Sequence, residues 1–87
     1  MNRALIISRL QAAEAHIANG ERQIARHSDL ISTLKQAGHD TTSAIALLRE
    51  LKQTQIQYVA ERDRLRDELA VLGAAQLGNR RRIRRTP

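Results

Sequence analysis

The sequence predicts an all-α protein: an antiparallel two-helix hairpin, a coiled coil that pairs into a four-helix bundle as a dimer. Apolar residues recur at alternating steps of three and four along two stretches of similar length, the period of a helix-pairing seam. One short break, "KQAGHDTTSA", separates the stretches, and so short a link favours antiparallel neighbours. The single proline is the last residue, so nothing forbids long helices.

The first helix is expected over about residues 3–37. Its seam runs Ile6, Leu10, Ala13, Ile17, Gly20, Ile24, His27, Ile31 and Leu34. The stretch "HIANGERQIARH" is the exception to test, because Asn-Gly is a strong turn signal. The seam keeps its phase on both sides of Gly20, whereas a loop would normally reset it, so the helix is expected to run through. Gly38 then supplies the left-handed residue that ends the helix, with Lys35 placed favourably in its last turn.

The turn is assigned to residues 38–40. Asp40 or Thr41 is expected to accept hydrogen bonds from the free N–H groups of a second helix over about 41–72. The second seam reads Ala44, Leu48, Leu51, Gln55, Tyr58, Arg62, Leu65, Leu69 and Leu72. Facing Leu34 with Ala44 sets Ile24 against Gln55, Gly20 against Tyr58, Ile17 against Arg62, and Ala13 against Leu65. Gly20 and Tyr58 thus form the predicted packing socket, with the glycine admitting the only aromatic ring. Arg62 is expected to lay its stem along the seam and send its head to solvent, Glu14 or Glu21. Helices of roughly 30 to 33 residues make a rod about 45 to 50 Å long.

Residues 1–73 therefore form the hairpin, and 74–87 are expected to be a flexible arginine-rich tail. Gly73 and Gly78 frame "GAAQLG" like a hinge, and the run beyond has no apolar stripe apart from Ile83. The net charge of +6 is uneven. Residues 1–78 hold ten Lys or Arg against nine Asp or Glu, while "NRRRIRRTP" holds five arginines and no acid. Arg80, Arg81, Arg82, Arg84 and Arg85 are the candidate anion contacts, suited to nonspecific phosphate binding, anionic lipid or an acidic protein. With no interleaved aromatics there is no base-stacking platform.

Composition narrows the function classes. A chain of 87 residues with one aromatic has little material for a self-sufficient core, so a partner is expected. The seam alone leaves Ile7, Leu30, Ile45, Leu47, Ile56 and Val59 partly uncovered, and these are the candidate partner-helix surface. A second copy is the favoured partner and another helical protein the alternative. Without cysteine there is no disulfide framework and no thiolate chemistry. His16, His27 and His39 lack the spacing of helical metal ligands, so no metal or other cofactor is expected. No phosphate loop or nucleophile–base pair occurs, so neither a small-molecule substrate nor enzymatic activity is expected. The apolar run in "MNRALIISRL" is too short for a signal peptide or membrane span, and a cytoplasmic setting is expected.

The segments "ERQIARH", "AGHDTTSAIALLREL" and "TQIQYVAERDRL" carry one further observation. Glu21–Ala25, Gly38–Thr41, Leu47 and Leu48, Thr54 and Gln55, and Arg62–Leu65 together resemble the pattern of a group of short helical proteins frequent in alphaproteobacteria. The resemblance covers roughly residues 14–69, excludes the arginine run, and implies no particular activity. The two function classes carried forward are a helical protein-interaction or oligomerisation module and, as the alternative, a small basic nucleic-acid-associated protein.

Overall fold

A computed structural model describes the backbone of residues 2–85 and the side chains of residues 2–74. It is an antiparallel helical hairpin of α1 (Arg3–Gln36) and α2 (Thr42–Arg85), with no strand among the described residues. Asn2 starts α1, its side-chain oxygen accepting from the Leu5 N–H at 2.8 Å, the bond that satisfies one of the free donors of a helix N-terminus. The helix passes through Asn19 and Gly20 without interruption, as the unbroken seam predicts.

The turn is built from two complementary caps. Gly38 sits at φ +77°, the left-handed region, while the N–H groups of Gly38 and His39 donate back to the carbonyls of Lys35 and Leu34 at 3.1 and 2.9 Å. That double bond pattern closes the C-terminus of α1 and needs a residue without a Cβ at its pivot. On the other side, Asp40 Oδ1 accepts from the Thr42 backbone N–H at 3.0 Å and from its hydroxyl at 2.7 Å. These two bonds, the hydroxyl first, hold the Asp40 carboxyl below its ordinary value of 3.8.

The second helix departs from the sequence expectation. It does not stop near residue 72 but continues through Gly73 and Gly78 to Arg85. A glycine costs a helix about 1 kcal/mol relative to alanine, and Ala74, Ala75, Gln76 and Leu77 between the two are strong helix formers. With this extension the rod measures 78 Å by 17 by 15 Å, longer than the hairpin body alone requires.

Burial is uneven along the rod. Among the described residues, Ile6, Ala13, Ile17 and Leu65 are the buried apolar ones, with Leu65 at 1% and Ile6 at 2% exposure. Leu10, Leu69 and Leu72 pack against Ile6, Ala13 and Leu65. All of these lie in the half remote from the turn. Nearer the turn, the seam residues Ile24, His27, Ile31, Leu34, Ala44, Leu48 and Leu51 are only half-buried.

Candidate interaction surface

A hairpin of two helices has two broad faces, one on each side of its seam. Residues one position before a seam residue line one face, and residues one position after line the other. The contacts confirm this division. A cleft of about 190 Å³ opens on the first face, bounded by His16, Gln23, Leu51, Thr54, Gln55 and Tyr58. On the second face Arg66 donates to Glu14 at 3.4 Å, linking the two helices.

The six predicted partner-helix residues divide between these faces. Leu30 and Leu47 lie on the first, near the turn, and remain 46% and 43% exposed. Ile7, Ile45 and Val59 lie on the second, where Ile7 and Val59 are half-buried and Ile45 is exposed. Ile56, one position after seam residue Gln55 and 68% exposed, stands at the outer edge of the second. The faces also differ in charge. Glu14, Glu21, Lys35, Lys52 and Arg66 interrupt the second face at intervals of two or four helical turns along each helix. From the turn as far as Gln23 and Thr54, the first face carries no charged side chain along its centre, and Arg26 and Glu50 stand at its two edges.

The predicted socket is corrected. Gly20 admits Gln55, not Tyr58: a Cβ on Gly20 would overlap Gln55 Oε1 and come within 2.9 Å of its Cδ. Gln55 reaches nearly one turn along α1 from its expected neighbour Ile24 and donates from Nε2 to the Ile17 carbonyl at 2.8 Å. Its Oε1 is buried without a conventional partner and lies where Gly20 presents a hydrogen in place of a side chain, a geometry suited to a weak C–H···O contact. Tyr58 instead stacks on His16, with ring centroids 4.7 Å apart and planes 10° from parallel. The signals for both contacts were present in the sequence: glutamine is long enough to seek a backbone acceptor beside a glycine, and His16 flanks seam residue Ile17 on the Tyr58 side.

Arg62 sends its head out of the seam as expected, but meets neither Glu14 nor Glu21. Its guanidinium turns to Asp63 at 3.1 Å, and Arg66 is the residue that reaches Glu14. Arg64 pairs with Glu61. These exposed pairs contribute at most about 1 kcal/mol each. At the end remote from the turn, a shallow groove of about 400 Å³ is floored by Ile6, Val71 and Leu72 and rimmed by Arg64, Asp67 and Glu68.

Among the described residues, no group of three or more His, Cys, Asp or Glu is placed to hold a metal ion, and no helix is long and apolar enough to cross a membrane. His27 is half-buried in the seam and His39 is exposed in the turn. The side chains of Arg80, Arg81, Arg82, Arg84 and Arg85 lie outside the described residues, so the predicted anion contacts are placed only by the helical backbone that carries them. Comparison with protein-family models, curated protein sequences and solved structures finds no match to this chain.

Proposed function

We propose that this protein is a non-catalytic helical interaction module, working inside the cell by packing a broad face of its hairpin against another protein. The observation that supports the reading is a seam closed at one end and left half-open at the other, with Leu30, Ile45 and Leu47 exposed beside the open part. Half-covered apolar stripes of this kind gain stability when a partner helix removes them from water, at about 25 cal/mol per Å² buried. Affinity capture of the tagged full chain from its native lysate, treated with nuclease, tests the reading against a chain ending at Gly78. A protein retained by both chains is the expected result; loss of all captured protein on nuclease treatment would refute it.

A second reading rests on the arginines. Five of them stand in six residues on a helical backbone that runs on to Arg85, with no acid among them. Each phosphate contact there would add salt-dependent, sequence-independent affinity, making the hairpin a handle for a nucleic-acid-binding arm. Duplex binding that survives removal of residues 79–87 would exclude this mechanism, because the body carries almost no net charge.

A further inference from the structure

The interaction reading leaves open what covers the half-open seam, and the inference below rests on that reading. We propose that the occupant is a second copy of this chain, packed face to face over the surface that carries Leu30 and Leu47. Both copies have their turns at the same end, and each copy's α1 lies over its partner's α2.

Area is the first argument. The chain exposes 7001 Å². A compact monomer of its 9.8 kDa mass exposes about 5,200 Å². The surplus of about 1,800 Å² is what separates this elongated rod from a compact fold. A protomer gives up about 800 Å² to an interface of standard size, so the surplus is ample for one.

Charge is the second argument, and it selects both the occupant and the face. The net charge of +6 lies almost wholly in the arginine run, so near the turn two copies meet where that charge is absent. Residues 24–51 hold Arg26, Lys35 and Arg49 against Asp29, Asp40 and Glu50, a balance of zero. Within this half, the Leu30 face is uncharged along its centre, while the opposite face has Lys35 and Lys52 beside its apolar residues. A strongly acidic partner would find no matching basic patch on the Leu30 face.

The edges choose between the two possible symmetries. A two-fold axis along the rod brings one copy's Arg26 edge over its partner's Glu50 edge, and does so twice. An axis across the rod stacks α1 on α1, so the edge that carries Arg26 lies over the same edge of its partner. Both arrangements are isologous; the first is complementary at Arg26 and Glu50 and sets Leu30 of one copy against Leu47 of the next, while it also brings both arginine runs to the end remote from the turn, a repulsion that salt weakens. Four helices then share a core made from two seams and the leucines between them.

Sedimentation of the full chain from about 1 to 100 μM, the weak end of what standard interfaces span, tests the occupant. A dimer is expected. The pair Leu30→Gln and Leu47→Gln should weaken it by about 100-fold while the chain stays helical, and Ile45→Gln with Val59→Gln should leave it intact. Dissociation by the second pair and not the first would overturn the face. Because the chain has no native cysteine, Leu30→Cys and Leu47→Cys chains can be oxidised separately and as a mixture. The mixture should cross-link several-fold more than either alone; equal cross-linking of Leu30→Cys by itself would overturn the symmetry. Arg26→Glu or Glu50→Arg should each weaken the dimer a few-fold, and the double exchange should restore it. A monomeric wild type overturns the second copy outright. If the leucine pair then still abolishes nuclease-resistant protein capture, the interaction reading stands with a different partner; if capture is unaffected, both fall.

Discussion

The two ends of this hairpin are built from the same kind of seam and reach different states of closure. Remote from the turn, Ile6 and Leu65 are almost wholly withdrawn from water, and Leu10, Leu69 and Leu72 complete a cluster around them and Ala13. Beside the turn, the seam is equally rich in isoleucine and leucine, yet none of its members is buried. The flanking residues differ in part. Near the turn the positions beside the seam include Leu30, Ile45 and Leu47, which add apolar surface, together with Lys35 and Lys52. Farther out, Glu14 and Arg66, whose heads meet in water, stand among apolar flanks that include Leu5, Ile7 and Val71. Closure is therefore not legible in the composition of the seam itself.

The sharpest test of the comparison is truncation on each side of it. Leu65→Ala removes a fully packed side chain and should cost about 3 kcal/mol in urea unfolding, within the range for buried leucines. Leu48→Ala, at a half-buried seam position, should cost nearer 1 kcal/mol when measured on the monomer. Equal losses would erase the distinction between the ends.

The boundary between the ends is the Gly20–Gln55 contact, where a double-mutant cycle gives a smaller effect. Gly20→Ala gains about 1 kcal/mol of helix propensity but evicts the Gln55 amide from Ile17, a loss of similar size. The single substitution should therefore change stability little. With Gln55→Ala already in place, the same substitution should stabilise by about 1 kcal/mol, and the coupling between the two sites should be of that order. Additivity would show that the amide does not occupy the glycine's space.

The smallest effect belongs to the turn. Asp40 has its carboxyl lowered in the folded chain by the Thr42 hydroxyl and N–H, so it contributes stability that is fully present above its ordinary value and lost as pH falls through the lowered one. Asp40→Asn should reduce the melting temperature slightly at neutral pH, and the difference from wild type should fade in acid below the lowered value. A difference that grows on acidification would contradict this sign.

Much of the fold was legible because it depends on periodicity and on one glycine. Two seams with constant phase, a short break, and a residue able to adopt φ +77° leave little choice but a hairpin. The end of α2 was not legible, since two glycines are a propensity cost that intervening alanines and leucine can absorb. Side-chain pairing across the seam was legible only in part. Register arithmetic assumes that side chains meet their direct neighbours, which holds for Ala13 and Leu65 in the core cluster. It fails for glutamine and arginine, whose reach spans a helical turn and whose partners are chosen by hydrogen bonding. The two apolar faces were visible as six residues, but their separation needed the observed cleft on one side and the Glu14–Arg66 bond on the other.

The position of the tight core has a kinetic consequence. Residues on either side of Gly38 are neighbours in sequence and can meet with little loss of chain entropy, but they gain little on meeting. Ile6 and Leu65 gain the most and must close the longest loop to do so. Folding that begins at the turn thus proceeds through weakly rewarded pairings before its main return arrives, so turn substitutions should act mostly on the folding rate. Changes at Leu65 should act mostly on unfolding, which makes the far end of the rod the clasp that sets how long the closed hairpin lasts.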